Sequence, residues 1–431
     1  VRNLKYVIIG NGVASIGAIE GIRKVDRENE ILVIGAENTP AYGRPLISYL
    51  LAGKIKPDRL ALRPAEFYES SKVDLMLGTS VEAIDTGART VTTDKDETIG
   101  YENLLIAVGG MPFTPLIPGV EGADVYNFTN LDHAQTLIAK AGDIKRAVVI
   151  GGGLIGLKAG ESLFDRGVDV TILELSPRIL SLAFDENAAA LAGTRLAEVG
   201  LNVRCGVSAK EIQRDKAGNL KGVHLTDGDF LQCDVVVIAI GVVPNYDLAK
   251  GTGIKVDQGI LVDEHMRADV PGVFAAGDVA QARDLLFGDG RVIPIWTNAY
   301  NQGFCAGKNM AGDETEFTGS LAMNSISFYG LPTISVGTVN PPEEDESYEI
   351  VSSIDEKKKS YRKLVFHHDR LVGYVLVGDI DMAGMYTAFV KFRMAVPEEA
   401  KKRILAGGPD VLMWPEDFFR ETWNPGYVEQ D

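Results

Sequence analysis

Two stretches of this chain repeat one pattern of apolar and polar positions. Residues 5–9 are largely apolar and run into a glycine turn; residues 13–24 carry small and apolar side chains at helical spacing; residues 31–34 are apolar again. The pattern predicts strand, tight turn, helix and second strand, a βαβ unit of roughly 30 residues or more. Residues 147–174 repeat it. Between the two units, residues 39–62 are irregular and hold Tyr42-Gly-Arg44-Pro45-Leu46-Ile-Ser48. A strand ending in Ala107-Val-Gly109-Gly110 follows, and the Pro-rich residues 111–119 mark a boundary. After the second unit come a strand closing on Gly241, the segment Val270-Pro-Gly-Val-Phe-Ala-Ala-Gly277-Asp278, and a helical stretch over 299–310. From about residue 319 the texture changes to strands with Gly, Pro and Ser turns, where acidic 343–346 and basic 357–359 read as loops. No other repeat or low-complexity segment is present.

Composition narrows the class. The 431 residues suffice for two or three domains, and 45% hydrophobic with 24% charged residues is the make-up of an ordinary globular protein. No apolar run approaches the roughly 18–20 residues that span a bilayer. The first residues read directly as a strand with no signal-peptide pattern, so the expectation is a cytoplasmic protein with no membrane span. A net charge of −17, from 60 acidic against 43 basic side chains, excludes nucleic acid as a natural partner. The three cysteines, Cys205, Cys233 and Cys305, form no CxxC or CxxxxC unit, and their odd number argues against a disulfide framework. All three are expected to be buried and inert, and no metal site is expected.

The glycine turns carry the chemistry. A pyrophosphate approaches backbone N–H groups at a helix N-terminus, and a Cβ at the first two glycines would obstruct the turn and that approach. The second unit has the full spacing, with Gly151, Gly153 and Gly156, then Leu154 and Ile155 opening the helix. Glu174 follows Gly151 by 23 residues, the distance expected of a carboxylate on a ribose 2′-OH. Such a carboxylate repels a 2′-phosphate and favours NAD(H), while nearby Arg178 keeps NADP(H) open. The first unit has Gly10 and Gly12, then Ala14 and Ser15, with Ser15 in the third-glycine position and Glu37 as the trailing acid.

With these motifs in this order, the chain resembles the pyridine nucleotide–disulfide oxidoreductase superfamily over nearly its full length. The resemblance implies an α/β fold with two Rossmann-like dinucleotide-binding domains, for FAD and NAD, and a C-terminal α+β domain. It places FAD on the first fingerprint and on Gly277 and Asp278, NAD(H) on the second, and domain connections at Ala107, Gly109 and Gly241. Trp296 and Thr297 resemble a W-x-x-A segment whose backbone N–H groups face the flavin; the competing reading makes Trp296 a core aromatic.

Within the superfamily, the stretch around Pro45 lacks the cysteine of the peroxidases, oxidases and CoA-disulfide reductases. Its Arg44-Pro45-Leu-x-Ser48-x-x-Leu-Ala-Gly pattern is similar to rubredoxin reductases and the flavin module of assimilatory nitrite reductase. Arg44 is expected at the flavin edge. In related ferredoxin-type reductases a lysine pairs with a glutamate at the positions held here by Ser48 and Lys158. Lys158 is therefore expected to bring positive charge to flavin N5 and the nicotinamide, against the plainer reading of a solvated lysine.

The resulting expectation is an NAD(P)H-dependent FAD oxidoreductase passing electrons between NAD(H) and an iron–sulfur or rubredoxin-like protein. Expected domains are 1–112 and 242–318 for FAD, 113–241 for NAD, and 319–431 as a C-terminal interface domain. The chain also resembles the NAD-reducing flavoprotein subunit of aryl-glyoxylate:acceptor oxidoreductases. With that relative in view, the aromatic and acidic residues 414–423 read as a docking segment or a tail folded on its own domain. A permanent complex and a homo-oligomer both fit, as does the competing class of a non-enzymatic FAD and NADH sensor. Acceptor and direction of flow stay open.

Overall fold

The computed structural model describes residues 2–407; residues 414–423 lie outside the described part. The chain forms two compact units, one of residues 2–181 and 196–321, the other of Leu182–Arg195 with the chain from Ala322 onward. The first unit is built on two largely parallel sheets. In one, Arg2–Ile9 lies between Ile31–Gly35 and Thr98–Ile106, with Val73–Leu77 outside. Val273–Ala275 joins it in parallel from far along the chain, by pairing with Thr98–Ile106. The second sheet has five parallel strands, with Arg146–Ile150 and Asp169–Glu174 at its centre and Asn202–Cys205 on one edge. The inner strands of both sheets are buried on both faces, as their unbroken apolar runs require. A two-stranded link joins the sheets: Gly110–Pro112 pairs antiparallel with Val242–Pro244.

The Val13–Val25 and Trp296–Met310 helices pack backbone against backbone. A Cβ at Gly17 would sit 2.2 Å from the Tyr300 carbonyl oxygen, and one at Gly303 would sit 1.9 Å from that of Ala14. Gly21 and Gly307 repeat the contact one turn on, at 2.3 Å and 2.2 Å from Phe304 and Ala18. Small residues four apart on both helices let the axes approach this closely. The helix begins at Trp296, three residues earlier than the apolar periodicity of 299–310 indicates.

The second unit holds a five-stranded antiparallel sheet ordered Met323–Phe328, Leu331–Gly337, Arg370–Val377, Ser360–His367 and Tyr348–Asp355. Leu182–Arg195, which the sequence pattern assigns to the middle nucleotide-binding domain, packs here instead. Asp185 accepts a hydrogen bond from the Tyr361 hydroxyl at 2.5 Å and pairs with the buried Lys363 at 3.2 Å. The Arg195 guanidinium donates to the Tyr329 carbonyl at 2.7 Å. These partners lie more than a hundred residues away, beyond the reach of any local pattern.

Among the described residues no helix is long and apolar enough to cross a membrane, and no cluster of His, Cys, Asp and Glu is arranged to hold a metal.

Candidate functional site

The two glycine turns are built alike. Gly10 N–H donates to Ile34 O and Gly151 N–H to Leu173 O, each at 2.8 Å. Gly10 has φ +104° and Gly151 φ +114°, and a Cβ would stand 2.2 Å from Ala107 O in one and 2.3 Å from Ala239 O in the other. The fold itself therefore demands these two glycines.

Gly12 and Gly153 are glycines for another reason. Both begin a helix in extended backbone, with φ −110° and −80°, and neither helix has a side-chain cap. A Cβ at either would meet nothing within 4 Å. Each is an open cradle lined by unpaired helix N–H groups, which suits an anion that comes close to the backbone.

Ser15 and Gly156 show how the two turns diverge. A Cβ at Gly156 would stand 1.9 Å from Gly151 O, whereas Ser15, five residues after Gly10, reaches Gly10 O with its hydroxyl at 2.6 Å. The serine hydroxyl holds the turn that the third glycine holds by contact.

The trailing acids are fixed differently. Glu174 accepts backbone N–H bonds from Gly152 and Ser176, both at 2.7 Å. Each oxygen keeps a lone pair for a further donor such as a ribose hydroxyl. Glu37 lies three residues past Ile34, while Glu174 directly follows the equivalent Leu173. It accepts from the Tyr42 hydroxyl at 2.6 Å and from Arg44 at 2.5 Å. Arg44 also donates to Thr129 O at 3.0 Å and lies over the Tyr42 ring. Arg178, the candidate for a 2′-phosphate, has its Nε buried without a hydrogen-bond partner.

Distant segments converge on the first turn. Ala107 N–H donates to Ile9 O at 2.7 Å, which sets Ala107 beside Gly10 and leaves Gly109 at φ +69° with open space around it. Gly277 N–H donates to Gln302 at 2.7 Å, and a Cβ there would lie 3.3 Å from the Ala14 Cβ. Burial pushes the neighbouring Asp278 carboxyl up, with Arg44 opposing. Trp296 and Thr297 open their helix with no side-chain cap, and Trp296 is 41% exposed. It is no core aromatic. Sequence reasoning missed Asn11, Thr39 and Asn127, each with a buried side-chain oxygen lacking a hydrogen-bond partner. Nothing in their spacing marks them. Buried polar atoms of this kind ordinarily find a partner, and the Tyr101 hydroxyl lacks one as well.

Gly241, at φ +118°, accepts from Phe113 N–H at 3.1 Å, and Gly109 accepts from Asn245 N–H at 3.0 Å, so the two connections are laced together.

Ser48 lies in a short helix, Ile47–Leu51, within a stretch that reads as irregular, and its hydroxyl donates to Pro45 O at 3.1 Å. That helix meets the Leu154–Phe164 helix, where the Ser162 hydroxyl donates to Ser48 O at 2.8 Å. Lys158 is only partly solvated: its side chain is 21% exposed, and its Nζ pairs at 2.5 Å with Glu161, one turn along the same helix, whose side chain is 9% exposed. The carboxylate missing beside the second fingerprint is thus present a turn later.

Burial pushes the Glu161 carboxyl up, with Lys158 opposing. A carboxyl held above its unfolded pKa costs the fold stability as pH rises through that pKa, because the folded state then binds the extra proton. Removing the cation enlarges this cost. Lys158→Met is expected to lose about 3 kcal/mol near pH 8 and less near pH 5 in urea denaturation. Adding Glu161→Gln should recover most of it; an equal loss at both pH values would count against the pair.

The cysteines do not gather here. Cys233 and Cys305 are buried, and burial pushes both thiols up, to about 12 and about 11. Cys205, expected to be buried, is exposed because its strand is a sheet edge, although partial burial and then Glu174 raise its pKa as well.

Comparison with known proteins agrees with this geometry. Residues 4–303 match the family model described as pyridine nucleotide-disulphide oxidoreductase, and residues 323–392 match the rubredoxin NAD+ reductase C-terminal domain. The chain is 33% identical to the NADH-dependent phenylglyoxylate dehydrogenase subunit epsilon of Aromatoleum evansii, over 86% of this chain and 87% of that one. It is 32% identical to the nitrite reductase [NAD(P)H] of Bacillus subtilis over 93% of its length, and spans about half of that longer protein, 49%. The covalent putidaredoxin reductase–putidaredoxin complex includes a chain with TM-score 0.83 at 25% identity, covering 95% of this chain and 99% of that one.

Proposed function

The chain belongs to the pyridine nucleotide-disulphide oxidoreductase family, and we propose that it carries electrons between NAD(H) and an iron–sulfur or rubredoxin-like protein by way of bound FAD. The observation that carries this reading is a doubled cradle whose flavin-side stretch carries no thiol; Cys205, paired across the strands with Glu174, lies on the other cradle. Gly12 and Gly153 each open onto empty space at a helix N-terminus, while the stretch Arg44–Ser48 holds no cysteine.

FAD, when bound, takes electrons from NADH as a pair and can release them singly. The chain's own residues bind and orient. Gly10, Gly12, Ala14 and Ser15, with Gly277 and Asp278, would hold the flavin's diphosphate side, and Glu37 its adenosine ribose. Pro45, Ala107 and Gly109 would border it. The uncapped helix start at Trp296 and Thr297 would place N–H groups and a positive dipole end toward the flavin. The buried orphan oxygens of Asn11, Thr39 and Asn127 fit a group rich in donors. Gly151, Gly153, Leu154, Ile155 and Gly156 would receive NAD(H), with Glu174 on its ribose and Gly241 at the connection. Lys158, held by Glu161, and Ser48 would stand where the two nucleotides face each other. Glu174 favours NAD(H) over NADP(H). In this reading residues 1–112 and 242–318 bind FAD and 113–241 bind NAD, apart from Leu182–Arg195.

A second reading has its own support. The chain would be the NAD-linked subunit of a complex oxidising a 2-oxoacid, because the phenylglyoxylate dehydrogenase subunit is matched over most of both chains.

Anaerobic mixing of the FAD-loaded protein with NADH is expected to bleach the flavin within the mixing experiment. Added rubredoxin or a small ferredoxin should restore its colour far faster than oxygen does. A flavin that NADH leaves coloured would exclude the proposal, as would reoxidation that an iron protein does not accelerate.

A further inference from the structure

The outermost strand of the second unit, Tyr348–Asp355, pairs with Ser360–His367 on one side, and no other described strand pairs with it. It runs eight residues without Lys or Pro, the usual guards of an open edge. Successive side chains alternate faces, so Ile350, Ser352 and Ile354 share one face. The two isoleucines are 50% and 53% exposed. Their cross-strand neighbours Val365 and Tyr361 are buried on either side of Lys363, which is paired with Asp185, so the isoleucines carry apolar surface out to the edge around one neutralised charge. The opposite face is engaged, with Glu349 accepting from Lys401 Nζ at 2.9 Å.

Charge gives the edge a direction. Four acids, Glu343, Glu344, Asp345 and Glu346, precede the strand, and three exposed lysines, Lys357, Lys358 and Lys359, follow it. A second copy laid antiparallel along the edge brings acids to lysines at both ends, whereas a parallel copy sets like charge against like. The end turns are complementary about Ser352, as an isologous two-fold contact requires, while Asp355 meets the partner subunit's Glu349, whose charge Lys401 already engages. With Ser352 on the axis, Ile350 faces the partner subunit's Ile354, and the turn holding Lys357, Lys358 and Lys359 lies at the end of the edge where the partner subunit's acidic 343–346 turn begins its strand.

We propose that two copies of this chain associate through antiparallel pairing of their Tyr348–Asp355 strands, joining two five-stranded sheets into one of ten. The surface is committed to a second copy because its acidic and basic ends answer each other. An unrelated acidic partner would use the lysines and leave the acids facing like charge.

Sedimentation of the FAD-loaded full chain tests this. A monomer–dimer equilibrium is expected that weakens as salt is added. Ile350→Lys with Ile354→Lys should raise the dimer dissociation constant at least about tenfold. Lys358→Glu and Glu346→Lys should each weaken the dimer, and the two together should restore it. Ser352→Cys should crosslink across the axis on mild oxidation. Flavin content, melting temperature and bleaching by NADH should match the parent in every variant, which separates lost pairing from lost folding. A monomer at all concentrations and salts overturns the proposal. So does a dimer indifferent to the isoleucine and charge-swap variants, or a Ser352→Cys protein that stays uncrosslinked.

Discussion

Gly153→Val should leave a folded, FAD-containing protein that NADH can no longer reduce. The backbone at Gly153 is extended, with φ −80° and ψ −176°, so a β-branched residue adopts it without strain. A Cβ meets nothing within 4 Å, so no packing is lost either. The added methyls would occupy the space over the helix N-terminus, where a pyrophosphate has to come down onto the backbone. The dissociation constant for NADH is expected to rise at least about 100-fold, close to 3 kcal/mol. The melting temperature should move by no more than about 2 °C. An anaerobic NADH titration followed by flavin absorbance, alongside a thermal melt, measures both. Gly12→Val is the matching variant for the other cradle and should yield folded protein without FAD. Gly151→Ala is the contrast: at φ +114°, with Ala239 O 2.3 Å from the new Cβ, it should lower stability before it says anything about ligand. Reduction of Gly153→Val by NADH at the parent rate would remove the nucleotide from this cradle.

Gly303→Ala should cost the protein about 3 kcal/mol or more and most of its flavin. Taken as an isolated helix position, the change ought to stabilise by about 1 kcal/mol, since alanine is the better helix former. The sign reverses because the Cβ would lie 1.9 Å from Ala14 O and 2.7 Å from Ala14 C, backbone that cannot rotate away. The Trp296–Met310 helix has to move off the Val13–Val25 helix. Ala14 opens the helix that starts at the Gly12 cradle, and neighbouring Gln302 holds Gly277 N–H at 2.7 Å, so the displacement reaches both sides of the proposed flavin site. Urea denaturation and the ratio of flavin to protein report the two losses. Gly193→Ala serves as the control, for a Cβ there meets nothing within 4 Å, and the helix rule alone predicts a small gain. A stable, yellow Gly303→Ala protein would mean that the helices are not in backbone contact.

Both variants turn on a distinction that the glycine motif does not contain. In Gly10-x-Gly12 and Gly151-x-Gly153 the four glycines look equivalent. Only the neighbours show that the first of each pair answers to a carbonyl from another strand and the second to empty space. Gly17 and Gly21 meet a helix almost three hundred residues on that carries Gly303 and Gly307, and two glycines four apart in sequence do not say which helix meets which. Lys158 shows the limit from another side. The fingerprint places it two residues past Gly156 and suggests a free cation, yet Glu161 engages it, because a buried carboxylate a helical turn away is the nearest countercharge. Cys205 came out exposed for a reason invisible in its apolar setting, the position of its strand at a sheet edge.

The sequence by itself determined the two βαβ units, their order, and the kind of cofactor such turns receive. Strand period, helix period and turn glycines act over about 30 residues and are written in contiguous chain. The tertiary structure alone decided which glycines serve the fold and which leave room for a ligand, that Arg44 pairs with Glu37, and that Leu182–Arg195 packs with the C-terminal sheet. Those outcomes depend on groups far apart in the chain, whose meeting depends on how the sheets and helices pack rather than on any local preference.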